Sequence, residues 1–271
     1  MTSASPSFVI QRNGQDATIV ELGQLAFNGY AHFTAMQVRG GKVRGLDLHL
    51  ERLKFASVKL FGQTLPDDQV RAYLRAAIEA GPSDLSLTAT MYSSKGEFTV
   101  AATNAEPEVL IRTRPAASGP NGPISLATIK HERFLPQIKH TGEMAKTFFL
   151  QQAVEQGLDD VAFIDGRCRL SEATIWNLAF WDGNSVIWPL AEMLPGTMMG
   201  TVRRQLEQLG ISQSFKEITL ADLPALSGGV VMNSWSPGIA VSQIGSVPLP
   251  EASAFLELLH RAYEAEPRVS P

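Results

Sequence analysis

The chain has one cysteine, Cys168, among 271 residues. That excludes an intramolecular disulfide and any thiolate metal cluster. Its histidines, His32, His49, His131, His140 and His260, nowhere show the His-x-x-x-His spacing that places two zinc ligands on one helix face, so no metal site is expected. Basic charge is also scarce: 23 Lys and Arg stand against 27 Asp and Glu, a net charge of -4. With no dense Lys/Arg run, nothing favours a phosphate backbone, and no nucleic-acid partner is expected. No apolar run approaches membrane-spanning length. The start, "MTSASPSFVIQRNG", lacks the basic opening and apolar core of a secretory signal. These absences lead to the expectation of a cytoplasmic protein without a membrane partner.

What is present is apolar: 44% hydrophobic against 18% charged residues, the balance of a globular chain long enough for one large core or two smaller ones. "SFVIQRNG" and "AHFTAMQVRGGKVRG" read as strands, the second folded into a hairpin at Gly40-Gly41. "LDLHLERLKFASVKLFG" reads as a helix with Leu46, Leu50, Leu53 and Leu60 near one face and Gly62 as its stop. "PDDQVRAYLRAAIEAGP" reads as another, opened by Pro66. "LSLTATMYS", "EFTVAAT" and "EVLIRTR" read as strands.

The run "PAASGPNGP", residues 115–123, is rich in Pro, Gly and Ser and has no apolar period. It is read as a linker between a smaller α+β domain, residues 1–114, and a larger one, residues 124–271. Beyond it, "ISLATIK" is a strand. An amphipathic helix in which Lys146 is an ordinary charged residue follows, with Thr141 as N-cap and Gly157 as C′ residue. "DDVAFID", "CRLSEATIWNLAFW" and "SVIWPL" read as strands, and "GTMMGTVRRQLEQLG" as a helix opened by Leu194-Pro195-Gly196. "GGVVMNSWSPGIAVSQIG" reads as strand, polar turn and strand, and "EASAFLELLHRAYEAE" as the last helix.

Three features carry chemistry. Lys139 sits between an apolar run and a helix, as a surface lysine or as a nucleophilic amine held in a pocket. Glu172 opens a strongly apolar strand, as a solvated edge residue or as part of one site with Lys139. Gly196 opens a helix whose N-terminal N–H groups can hold an anion, though Leu-Pro-Gly is also an ordinary turn.

The order of these features, with Ser171-Glu172 and Asn177-Leu178 between the lysine and the Leu-Pro-Gly turn and "LDLHLERL" well before them, resembles the fold-type IV pyridoxal-phosphate enzymes. These are the class IV aminotransferases: branched-chain and D-amino acid aminotransferases, (R)-amine transaminases and aminodeoxychorismate lyase. The resemblance runs from about Ala26 to Gly245. It implies a two-domain α+β fold with pyridoxal 5'-phosphate in the interdomain cleft, and a homodimer.

Residue by residue, the resemblance assigns Lys139 to the Schiff base with the cofactor and Glu172 to the pyridine nitrogen. Arg52 is assigned to the cofactor phosphate, as are the N–H groups of Gly196, Thr197 and Met198. Ser234 and Trp235, in the loop after Asn233, fall on the phosphate side. Phe33, Thr34, Trp176 and Trp235 are candidates for lining the substrate pocket, and are equally suited to core and strand positions. His140 is read as structural.

The chain departs from the family pattern at several positions. Ala173 stands where glycine is usual, Thr197-Met198 replaces Ile-Thr, and Met144 stands where branched-chain enzymes have tyrosine. "TMYSSKGEFTV" lacks the Arg-x-His carboxylate clamp of the D-amino acid enzymes. "HFTAMQVRGGKV" and "VVMNSWSPG" are similar to aminodeoxychorismate lyase. The implied activity is transfer of an amino group between an amino acid or amine and a keto acid. The alternatives are lyase-type elimination giving pyruvate and a cofactor-free binding scaffold.

Overall fold

The computed structural model describes residues 8–100 and 104–271. The chain forms two compact units. The first holds the residues up to Ala117 together with Ile138–Gly142 and Arg268–Pro271, and the second holds Ser118–Gln137 and Glu143–Pro267. The chain therefore passes between units inside the Pro-, Gly- and Ser-rich run, and Lys139 belongs to the first unit although the segments on both sides of Ile138–Gly142 belong to the second.

The first unit contains strands β1 (Ile10–Arg12), β2 (Gln15–Asp16), β3 (His32–Arg39), β4 (Lys42–Arg44), β5 (Leu85–Tyr92) and β6 (Glu108–Pro115), and helices α1 (Ile19–Gly23), α2 (Leu46–Phe61) and α3 (Asp67–Glu79). Its sheet has the order β16-β4-β3-β5-β6-β1-β2, where β16 is the terminal Arg268–Val269. The Gly40-Gly41 turn takes positive φ at both residues, 61° and 71°, as a tight hairpin requires. Alternation places Met36, Val38, Leu85, Leu87, Ala89, Val109 and Ile111 in the core. The apolar face of α2, including Leu46, Leu50, Leu53 and Leu60, is buried, and Gly62 ends the helix in the left-handed conformation.

The second unit contains β7 (Ile124–Lys130), α4 (Met144–Glu155), β8 (Asp160–Ile164), β9 (Leu170–Ala173), β10 (Asn177–Trp181), β11 (Val186–Pro189), α5 (Thr197–Gln208), β12 (Gln213–Lys216), β13 (Gly228–Asn233), β14 (Ser236–Ile244), β15 (Val247–Pro248) and α6 (Ser253–Ala265). The sheet runs β12-β11-β10-β13-β14-β7-β8-β9, and β9 pairs back onto β10 through Glu172 and Asn177. Six strands thus close into a ring around Leu126, Ala162, Leu178, Val231 and Val241. Helices α5 and α6 share a second core with Trp188, Val230 and Met232.

Three sequence expectations change. Residues 97–100 of "EFTVAAT" are not a strand: β5 already has β3 and β6 on its two edges, so no edge remains, and Phe98 takes a φ of 57° with its ring exposed. The rest of that run lies outside the described residues. "CRLSEATIWNLAFW" is two strands, because Asp160 draws the Thr174 hydroxyl (2.7 Å) and the Trp176 indole N–H (2.9 Å) into a turn between them. Thr141 does not cap α4, which begins at Met144 after Glu143. Its N–H donates to the carbonyl of Ala31 (2.9 Å) and its hydroxyl to that of Gly29 (3.1 Å), because residues 139–141 run beside the start of β3. Gly157 takes a φ of 78° just past α4.

Candidate active site

Glu172 is the centre of the second unit's polar interior. It points inward from β9 and is 4% exposed. One carboxylate oxygen lies 3.2 Å from the ammonium of Lys146 and 3.5 Å from the guanidinium of Arg133. The other accepts the N–H of Leu194 at 3.4 Å. Arg133 and Lys146 also meet Glu143, at 2.6 and 3.8 Å. Two cations and two carboxylates thus neutralise one another, which is what permits their burial. Burial pulls the Lys146 ammonium below the ordinary lysine value, against the opposing pull of Glu172.

Lys146 is therefore no surface charge. It is 6% exposed, whereas Met144 and Phe148 of the same helix are 86% and 55% exposed. Amphipathic spacing marked the lysine only as an ordinary helix charge, because its burial depends on Glu172, which lies on another element.

Glu172 and the Leu-Pro-Gly turn form one hydrogen-bonded network through Asn177. The Asn177 amide donates to the carbonyl of Leu194 (2.7 Å), and the N–H of Leu194 donates to Glu172. Gly196 has to be glycine for this: a Cβ there would lie 1.9 Å from the Asn177 side-chain oxygen. Gly196 is the N-cap of α5 and receives no side-chain cap, so the N–H groups of the first turn, Thr197 and Met198 among them, have no intrahelical acceptor. The Met198 side chain packs into the core with Trp188, which leaves its backbone as the available donor.

Ser234 and Trp235 lie in the turn between β13 and β14. The N–H of Trp235 donates to the Asn233 side chain (2.8 Å), and its indole, 41% exposed, meets Trp176 edge to face at 6.0 Å. Trp176 itself is a core residue, 4% exposed, and its indole N–H donates to Asp160.

In the first unit, the Lys139 carbonyl accepts the N–H of Phe33 at 2.8 Å, and its ammonium stands 4.9 Å from the centre of the Phe33 ring. The amine is half-buried on the face of β3 opposite α2. His140 bridges His32 across the same pairing, a structural position. Thr34 points the other way: it is fully buried, and its hydroxyl lies 2.6 Å from Nδ1 of His49. Arg52 flanks the buried face of α2, and its charge helps to depress the His49 imidazole below the usual histidine range, after burial itself.

Within the second unit, a buried carboxylate matched to cations and a helix N-terminus opened by glycine suit the ring nitrogen and the phosphate of a phosphorylated pyridine. Sequence reasoning missed Arg133, Lys146 and the linking role of Asn177. The Asn177-Leu178 pair was part of the motif order, but nothing local marked the two cations.

The chain belongs to the class IV aminotransferase family, whose model matches residues 31–244. It is a pyridoxal-phosphate-dependent enzyme of fold type IV. Its fold is similar to that of a branched-chain aminotransferase from Thermoproteus uzoniensis with norvaline (TM-score 0.82, 17% identity, 95% of this chain and 94% of the other). It is also similar to 4-amino-4-deoxychorismate lyase from Pseudomonas aeruginosa (TM-score 0.80, 18% identity, 95% and 99%). A third is the branched-chain amino acid aminotransferase from Escherichia coli (TM-score 0.80, 15% identity, 96% and 94%). No curated protein sequence matches this chain significantly. Among the described residues, no helix is long and apolar enough to cross a membrane, and no cluster of His, Cys, Asp and Glu could hold a metal.

Proposed function

We propose that the enzyme moves an amino group between an amino acid or amine and a keto acid, with Lys139 as the amine that bonds the cofactor. When bound, pyridoxal phosphate supplies an aldehyde that takes up the amino group and a ring that withdraws electrons from the substrate α-carbon. Lys139 and Arg52 of the first unit, and Glu172, Gly196, Thr197, Met198, Ser234 and Trp235 of the second, are the residues assigned to hold it. The observation that carries the reading is Glu172, a buried carboxylate fixed from both sides and hydrogen-bonded to the turn that opens α5. Such a carboxylate holds a proton at a pyridine nitrogen. Lys139 would accept the α-proton and return it two atoms away, on the cofactor carbon across the shared nitrogen. Arg52 and the α5 N–H groups bind phosphate oxygens.

A second reading, elimination giving pyruvate, is supported by the "HFTAMQVRGGKV" strand and the "VVMNSWSPG" loop, both similar to aminodeoxychorismate lyase. Homodimerisation in the cytoplasm, as in the family generally, completes the proposal and is checked by light scattering.

The deciding experiment is the visible spectrum with added pyridoxal phosphate, before and after borohydride, followed by peptide mapping. A yellow species fixed by borohydride onto Lys139 supports the reading. A label on Lys146 would transfer the role to the buried lysine, and a colourless protein would leave a binding scaffold. Keto acid formation against pyruvate release then separates the two activities.

A further inference from the structure

The first unit contains a cavity of about 280 Å³ lined by Ile10, Leu22, Leu25, Asn28, Ala31, Thr88, Thr90, Leu110, Arg112 and Thr141. It opens on the face of the sheet opposite α2. Cross-strand partners share a face, and two rows cross this one: Phe33, Thr90 and Leu110, then Ala35, Thr88, Arg112 and Ile10. Lys139 reaches the same face, since its ammonium lies over the Phe33 ring. Thr141, two residues on along an extended pairing with β3, faces the same side as Lys139. The cavity and the Lys139 amine therefore share one surface of one unit.

The chemistry of the lining is lopsided. Arg112 is its one charged group, and no carboxylate among the described residues pairs with it, although Arg12 on the neighbouring strand has both Glu21 and Glu108. Burial, and then the like charge of Arg114, hold the Arg112 guanidinium below the ordinary arginine value. Arg112 nonetheless remains exposed enough for water to solvate its charge, and the cavity holds that cation open to an incoming anion. Thr88 and Thr90 add hydroxyls beside it. The side-chain oxygen of Asn28 is buried with no hydrogen-bond partner, an acceptor awaiting a donor. Apart from Thr141, the remaining walls are aliphatic.

We infer that this cavity is the substrate subsite for a carboxylate on a small, largely apolar body, with Arg112 as the anchoring cation. A guanidinium fork pairs with a carboxylate in two parallel hydrogen bonds, which fixes orientation as well as affinity. The volume lies at the lower edge of the roughly 300–1,000 Å³ of drug-sized sites, which suits a small amino or keto acid. Arg112 would thereby supply a carboxylate-binding cation where the run "TMYSSKGEFTV", which spans the end of β5 and the segment after it, has no arginine. This inference rests on the proposed function for the identity of the substrate, and on the cavity alone for its charge.

The test uses the full chain and valerate, an unreactive alkyl carboxylate, measured by titration calorimetry with and without pyridoxal phosphate. Arg112→Gln should weaken valerate binding at least tenfold and Arg112→Lys should retain part of it. Arg114→Gln, on the same strand but outside the cavity, should leave it unchanged. In the loaded enzyme, Arg112→Gln should raise KM for amino acids more than it lowers kcat. It should also erase at least tenfold of the preference for an amino acid over the matching amine without a carboxylate. Equal valerate affinity in wild type and Arg112→Gln, or equal losses in Arg112→Gln and Arg114→Gln, overturns the subsite. A protein labelled at Lys139 but indifferent to Arg112→Gln loses the subsite and keeps the proposed function. One that binds valerate through Arg112 but takes up no cofactor does the reverse.

Discussion

The ammonium of Lys146 lies 3.2 Å from the carboxylate of Glu172, and both side chains are less than a tenth exposed. The pair joins α4, the first helix after Lys139, to the strand that carries the candidate ring-nitrogen partner. Its burial gives it consequences that a surface pair would not have.

Lys146→Met should destabilise the protein by about 3 kcal/mol, because removing one partner of a buried pair strands the other charge. The loss should stay near the low end of the usual range, since Arg133 remains 3.5 Å from Glu172. Urea denaturation measures it, and an unchanged midpoint would show that the pair contributes nothing.

Glu172→Gln should be the more damaging change, because it removes the carboxylate that meets both buried cations, Lys146 and Arg133. Turnover should fall about 10²-fold or more, as for loss of a group controlling a proton in the reaction. Combining it with Lys146→Met should recover stability relative to Glu172→Gln alone, with a coupling of about 0.5–3 kcal/mol. Additive effects in the double-mutant cycle would refute direct coupling.

Gly196→Ala tests the link between Glu172 and the α5 N-terminus. Its backbone φ of -64° is open to any residue, so strain is not the issue. The new methyl would collide with Asn177, displacing the amide that holds Leu194. A cost of about 1–3 kcal/mol is expected, as for overpacking elsewhere. Weaker retention of pyridoxal phosphate on dialysis should accompany it. A variant with wild-type melting and retention would sever that link.

Acid should destabilise the first unit through His49 and His32. Burial, the leading cause in each, pushes both from 6.5 to about 3. Between those values the unfolded chain binds more protons than the folded one, so stability is full above pH 6.5 and is lost as pH falls toward 3. The neutral rings are held by Thr34 (2.6 Å) and Ser57 (2.9 Å). His49→Gln should flatten the stability profile across that window by on the order of a few kcal/mol. An equally steep profile in the variant would show that other groups set it.

The sequence by itself determined the elements and the family. The leucine period of α2, the Gly40-Gly41 hairpin, the Gly62 stop and the alternation of β5 are local patterns, and each has the backbone that local sterics and apolar spacing dictate. The order of Lys139, Glu172 and the Leu-Pro-Gly turn was equally legible, because motif order is a property of the chain.

Tertiary structure decided which charges are buried. Lys146 goes inside while Met144 of the same helix stays exposed, because a lysine is buried only where a carboxylate waits, and that carboxylate is 26 residues away. Thr34 and Trp176, candidates for a pocket, turn into cores because His49 and Asp160 take up their polar atoms. Lys139 joins the first unit because residues 139–141 hydrogen-bond to the start of β3, more than a hundred positions earlier. Local patterns record how a segment folds against its own backbone. The partner that makes a buried polar group tolerable comes from elsewhere in the chain, and only the closed structure brings the two together.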